Sequence, residues 1–170
     1  MIFTSERVSL AAQKKSFSGR IMIDESWDSL LKLLDQHPQK HLDYRPDKCR
    51  FYLKNAHKRP STPYWSTTIV NEMKRVFHKN QITNIVFFNF GPNASSYPWH
   101  KDKMDVFLVQ VKNKVRIRVE NYWEEERDFT VGEYVYIPRG THHEIKTNHS
   151  RVTFSFGVEQ LPDPETYLDS

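Results

Sequence analysis

Tyr97-Pro98-Trp99-His100-Lys101-Asp102 places an imidazole and a carboxylate two residues apart. On an extended segment, positions two apart project from the same side, so both side chains can reach one ion. Further on, Pro138-Arg139-Gly140-Thr141-His142-His143 brings another imidazole, at His143 or at its neighbour His142. Two His and one carboxylate on one face of a metal leave positions open for small-molecule ligands, the arrangement expected of non-haem Fe(II) oxygenases. On ligand type alone Mn, Ni or Zn would also serve. His-x-Asp recurs by chance, and a His pair beside a turn also suits a surface. The elements that must position these residues therefore decide the reading.

A chain of 170 residues has a single-domain length and can bury one core. It is polar, at 27% charged, but 14% of it is aromatic, which offsets a modest aliphatic content. Cys49 is the sole cysteine, so an intramolecular disulfide and a Cys-based zinc site are excluded and a reducing compartment is implied. No apolar run approaches the ~20 residues that span a bilayer. The first twenty residues hold no apolar core of the signal-peptide kind, so a cytoplasmic protein is expected. The net charge of +4 permits an acidic partner, nucleic acid included, without identifying one.

Residues 1–82 read as a part built of helices and short strands. Ser5 to Ser18 is expected to be an irregular lead-in and Gly19 to Ile23 a short strand. Asp24 or Ser26 would cap a helix through Gln36, with Trp27, Leu30, Leu31, Leu33 and Leu34 on its buried face and Pro38 beyond its end. His37 to Lys48 reads as a loop and Cys49 to Leu53 as a strand. Ser66, Thr67 or Thr68 would cap a second helix reaching His78.

From Thr83 the texture changes. Ile85 to Phe90, Val106 to Val111, Lys114 to Val119, Tyr134 to Ile137 and Val152 to Val158 are β-branched and aromatic runs separated by turn residues. Lys114 to Val119 alternates strictly, with Val115, Ile117 and Val119 on one face and Lys114, Arg116 and Arg118 on the other. Glu124-Glu125-Glu126 suits a solvated turn. With no helix-length segment, residues 83–158 read as a β-sandwich or barrel on which the first part packs, and residues 159–170 as a tail. Nothing marks a boundary, so 1–170 is read as one domain.

Tyr97 to Val111, with its His100-Lys101-Asp102, resembles the first metal motif of the JmjC-like, cupin-fold hydroxylases. Val131 to Glu144, in which Pro138-x-Gly140-x-x-His143 supplies a distal imidazole, is similar to their second, and Val152 to Gly157 to their closing strand. This resemblance covers less than half the chain. It implies a mainly β protein with flanking helices and a double-stranded β-helix (cupin or jelly-roll) core. It also implies Fe(II), 2-oxoglutarate as cosubstrate, O2, and the ligand set His100, Asp102 and His143, with His142 turned to the other face. The group includes oxygenases of ribosomal proteins and a tRNA hydroxylase, so a macromolecular substrate, protein or RNA-derived, is the implied partner. Membrane association is not implied.

One position departs from that pattern. The family usually carries Lys or Arg fifteen residues after the first His, to pair with the distal carboxylate of 2-oxoglutarate, and here that residue is Val115. A buried carboxylate without a partner is very costly. Arg151, opening Arg151-Val152-Thr153, is the first replacement, since a bidentate guanidinium suits a carboxylate. Lys114 and Arg116 would serve only if a bulge at Asn113 reversed the alternation. Tyr97 and Asn89 would add neutral hydrogen bonds. Two rival readings remain at this level. One is a metal-binding cupin without 2-oxoglutarate chemistry, such as an isomerase or a cosubstrate-free dioxygenase. The other is a binding module that engages a partner through Lys114, Arg116 and Arg118.

Overall fold

A computed structural model describes residues 1–38, the main chain of 42–45, and residues 50–78, 82–90 and 97–158. The expected tail and the Gly91-Pro92-Asn93 turn lie outside them. Three helices, α1 (Ser5–Ala12), α2 (Trp27–Asp35) and α3 (Tyr64–Phe77), accompany eleven strands. In chain order these are β1 (Phe17–Arg20), β2 (Leu42–Arg45), β3 (Arg50–Lys54), β4 (Thr83–Asn89), β5 (Tyr97–His100), β6 (Asp105–Lys112), β7 (Val115–Val119), β8 (Trp123–Phe129), β9 (Glu133–Ile137), β10 (His143–Lys146) and β11 (Arg151–Val158). They form a seven-stranded sheet, β1-β9-β6-β11-β4-β3-β2, and a four-stranded sheet, β5-β10-β7-β8. All strand pairings among the described residues are antiparallel. The result is a double-stranded β-helix, mainly β, with its helices on one outer face. No helix among the described residues is long and apolar enough to cross a membrane.

Alternation along the strands generates two cores. On β6, Phe107, Val109 and Val111 join Phe154 and Phe156 of β11 and pack against Leu30 and Leu33 of α2 and Ile69 and Met73 of α3. The intervening positions, Val106 and Leu108, face Val115, Ile117, Val119, Phe129 and Ile145 in a second core between the sheets. β6 is therefore covered on both faces, which is why Asp105–Val111 is buried without interruption.

Several boundaries differ from the sequence expectation. The lead-in contains α1, capped by the Thr4 side chain, which accepts from Arg7 N. The short strand lies earlier, at Phe17–Arg20, because it follows the register of β9, with Phe17 opposite Tyr136. Ser26 caps α2 by accepting from Ser29 N at 3.1 Å. α3 starts at Tyr64 after Pro63, which leaves Ser66 buried inside the helix. Part of the expected loop from His37 to Lys48 is β2, paired with β3.

Glu124-Glu125-Glu126 is not a turn but part of β8, held against β7 by cross-strand charge. Lys114 meets Asp128 at 3.0 Å, and Arg116 meets Glu126 at 3.0 Å and Asp128 at 3.1 Å. Lys146 meets Glu126 at 2.8 Å, and Arg118 meets Glu144 at 3.3 Å. The basic face of β7 is thus already matched by carboxylates of β8 and β10. It is not the free cationic surface that the binding-module reading needs.

Gly132 closes the turn before β9 at φ +86°, and a Cβ there would press on the Ile21 carbonyl, whose own N–H donates to Gly132 O. Gly132→Ala is expected to cost about 1–3 kcal/mol, through a left-handed backbone and that contact. An unchanged thermal midpoint would contradict this account of the turn.

Candidate metal centre

The first motif forms β5, at the edge of the four-stranded sheet, and the second leads into β10 beside it. Their pairing sets His143 directly opposite His100. Gly140 gives the approach to β10 its shape. Thr141 N donates to Pro138 O at 3.1 Å across a turn in which Gly140 has φ +79°, the conformation its third position requires. Two further bonds tie this turn to the first motif, Gly140 N to Asp102 O at 3.0 Å and Arg139 N to Asp105 Oδ1 at 2.8 Å. Asp105, at the head of β6, is 1% exposed. The two motifs therefore form one braced unit.

One ligand atom from each of His100, Asp102 and His143 lies within 4.8 Å of the others. His143 Nε2 is 3.4 Å from Asp102 Oδ2, and His100 Nε2 is 3.9 Å from Asp102 Oδ1. Both Nδ1 atoms face main-chain carbonyls, His100 that of Pro98 at 2.6 Å and His143 that of Thr141 at 3.1 Å. A carbonyl only accepts, so in the neutral ring Nδ1 carries the hydrogen and Nε2 presents a lone pair to the common centre. The contact with His143, a hydrogen bond when that ring gains its second proton, holds the Asp102 carboxyl below the usual carboxylate range. The donor set therefore suits a first-row divalent transition-metal ion such as Fe(II).

His142 points away. Its Nδ1 lies 3.1 Å from Glu120 Oε2, its ring stacks on Trp99 at 5.6 Å between centroids, and the Arg118 guanidinium lies 4.2 Å from the centre of the Trp99 ring. Trp99 is 38% exposed beside them and does not line the cavity described below, whereas Trp123 packs on Phe129 beneath Arg127.

The three side chains open onto a cavity of about 260 Å³ between the sheets, lined also by Tyr97, Phe87, Ile145, Thr153 and Arg151. Arg151 is 1% exposed. Its Nη1 donates to Thr153 Oγ1 at 2.5 Å, and Thr153 donates in turn to Gln110 Oε1 at 2.6 Å. Gln110 is itself oriented, since its Nε2 donates to the carbonyls of Lys112 and Asn113 at 3.0 and 2.8 Å. This relay aims the guanidinium but leaves its Nε and Nη2 without partners. Burial lowers the Arg151 pKa to about 10, so the group remains a cation at neutral pH. The Tyr97 hydroxyl is buried without a well-formed hydrogen bond, and burial, with Tyr52 next, pushes its pKa far up.

Of the other expected cosubstrate contacts, Asn89 faces the same way as Arg151, its cross-strand partner, but does not itself line the cavity. Lys114 and Arg116 do not reach the cavity at all. Asn113 turns the chain at φ 56° without disturbing the alternation, so both side chains lie on the outer face with their carboxylates. Val115 is packed in the core between the sheets. Sequence reasoning missed Gln110, the group that orients the Thr153 hydroxyl of Arg151-Val152-Thr153. The one amide inside the apolar run Val106-Phe107-Leu108-Val109-Gln110-Val111 was the available signal, because a buried amide needs a partner.

No family model matches this chain, and no curated protein does. Solved structures do. A ribosomal oxygenase from Escherichia coli, YcfD, matches with TM-score 0.61 at 17% identity, over 92% of this chain and 50% of that one. The same protein in complex with cobalt and 2-oxoglutarate gives 0.62 at 16%, over 98% and 55%. In complex with cobalt and succinic acid it gives 0.62 at 16%, over 98% and 54%. The chain thus spans about half the length of the structures it matches. At these identities the likeness is one of fold: this chain has the double-stranded β-helix fold of the JmjC-like, cupin-type oxygenases represented by YcfD.

Proposed function

We propose that this chain is an Fe(II)- and 2-oxoglutarate-dependent oxygenase that hydroxylates a macromolecular substrate, a protein side chain or an RNA-derived group. One observation carries the reading. One cavity joins a three-ligand centre, His100, Asp102 and His143, to an under-satisfied, buried guanidinium, Arg151, that an anion would complete. The 2-oxoglutarate and succinate complexes of the structural neighbour agree with such an anion.

In this reading His100, Asp102 and His143 hold the iron on one side, and the remaining positions stay free for small ligands. When bound, Fe(II) with O2 supplies oxidative decarboxylation of 2-oxoglutarate to succinate and CO2, coupled to hydroxylation of a substrate C–H bond. Arg151 anchors the distal carboxylate, and the Gln110–Thr153 relay fixes the direction from which it does so. Tyr97 closes the wall beside His100 and offers its hydroxyl to the same anion. Phe87 and Ile145 exclude water from the space between the cation and the ligands.

The test is succinate formation by the protein with Fe(II), 2-oxoglutarate and O2, read without any prime substrate. Slow uncoupled turnover that depends on added Fe(II) is expected. A protein that binds Fe(II) or Mn(II) but neither turns over 2-oxoglutarate nor gains thermal stability from N-oxalylglycine would instead be a metal-binding cupin without 2-oxoglutarate chemistry.

A further inference from the structure

Arg151 is not the only buried cation near the cavity. Arg50 of β3, Asn89 of β4 and Arg151 of β11 are successive cross-strand neighbours, Arg50 opposite Asn89 and Asn89 opposite Arg151. Side chains at paired positions project from the same face of a sheet. All three are more than nine-tenths buried, with exposures of 8%, 0% and 1%.

Their polar atoms are far from satisfied. Arg50 Nε, both Asn89 side-chain atoms, and Arg151 Nε and Nη2 have no hydrogen-bond partner. Neither guanidinium has a carboxylate partner among the described residues. The Arg50 guanidinium lies 5.3 Å from the ring centres of both Tyr52 and Tyr97, and that of Arg151 lies 5.8 Å from that of Phe87. Aromatic faces attract a cation but accept none of its hydrogen bonds in full. The two arginines also repel, each being a positive charge in the other's poorly hydrated surroundings. Two desolvated like charges flanking an unpaired amide are unfavourable as they stand, and a bound anion would accept from the free N–H groups of both guanidinia and from Asn89 Nδ2.

We propose that Arg50 and Asn89, which lie directly behind the lining residues Tyr97 and Arg151, join Arg151 in a two-cation clamp for a carboxylate that reaches the inner end of the cavity, with Arg50 the residue that sets selectivity for an anionic cosubstrate tail. Arg151 offers the fork already aimed by Thr153, Asn89 donates from its amide, and Arg50 adds the second charge. This division replaces the single basic residue that Val115 lacks. The clamp rests on the oxygenase reading for the identity of the anion, though not for its charge.

The experiment uses the full chain, with Mn(II) in place of iron, and titrates N-oxalylglycine by calorimetry. Arg50→Gln is expected to weaken N-oxalylglycine binding at least about tenfold, as losing a charged hydrogen-bonding partner does, with Mn(II) affinity unchanged. Arg50→Lys, which keeps the charge, should recover most of the loss. The metal-free Arg50→Gln protein should melt no lower than the unaltered one, because an unsatisfied buried cation has been removed. A lowered midpoint with unchanged affinity marks Arg50 as merely structural and overturns the clamp. Unchanged affinity in Arg50→Gln with a large loss in Arg151→Gln overturns it too, while leaving the oxygenase reading standing. If the unaltered protein binds no N-oxalylglycine, that reading fails, and glutarate and inorganic phosphate become the probes. Binding of either that is lost in Arg50→Gln supports the clamp, and binding of neither overturns it.

Discussion

Asp102→Ala is expected to lower the affinity for Fe(II) or Mn(II) by at least roughly 100-fold and to abolish succinate formation. Losing even an outer-shell partner of a metal ligand typically costs about 10–100-fold, so removing the carboxylate itself sets the lower bound. Geometry weighs as much as charge here. Asp102 offers one oxygen towards each imidazole, at 3.4 and 3.9 Å from the two Nε2 atoms, and is the one anionic member of the set. Without it, two neutral rings 4.4 Å apart would face a dication with nothing to offset its charge. Calorimetry with Mn(II) under reducing conditions reads the effect directly. Alanine at His143 should behave alike, whereas alanine at His142, which is engaged with Glu120 and Trp99, should leave metal affinity within a few-fold. Full metal binding by the Asp102 variant would remove the centre described above.

Arg151→Gln carries the second large effect. Truncating one partner of a buried charge pair costs about 2–5 kcal/mol, which corresponds to a loss of N-oxalylglycine or 2-oxoglutarate affinity on the order of 100-fold. The ligand-free protein should not suffer in parallel. Arg151 makes one side-chain hydrogen bond in a fully buried position and faces no carboxylate, so its removal deletes a desolvated charge rather than a completed pair. Loss of cosubstrate binding with an undiminished melting temperature is thus the expected signature. A variant that binds 2-oxoglutarate normally would separate the metal site from the cosubstrate assignment, and one that fails to fold would make Arg151 a structural residue.

Both experiments concern residues whose types could be picked out beforehand, and the reason is local. His100 and Asp102 fall two apart on an extended segment, and His143 follows a turn whose glycine is demanded by a positive φ. Strands with strict alternation, such as β7, were equally open to reading, because one apolar face must be buried. What escaped was decided at long range. The acidic run in β8 looks like a solvated turn until Lys114, Arg116 and Lys146 are brought alongside it. α1 is only eight residues long, with a single buried side chain, so little periodicity announces it. Arg50 falls within the expected strand Cys49 to Leu53, where nothing local marks its side chain as buried. Only the pairing of β3 with β4 turns it inward to Asn89. Gln110 and Thr153 gain meaning only from each other, since they lie on neighbouring strands far apart in the chain.

The cross-strand ion pairs on the outer face of β7 have an effect beyond the strands they join. A lysine or arginine within about 3 Å of a carboxylate is, seen from several ångströms away, nearly a dipole, and its influence dies within the screening length of about 8 Å at physiological ionic strength. Four cations of that face, Lys114, Arg116, Arg118 and Lys146, are spent in this way. Lys103 lines the cavity beside Asp102, and Lys101 lies within electrostatic reach of Glu120. Seen from a distance the outer face of β7 is therefore close to neutral, and adding salt changes little in how it meets a charged molecule.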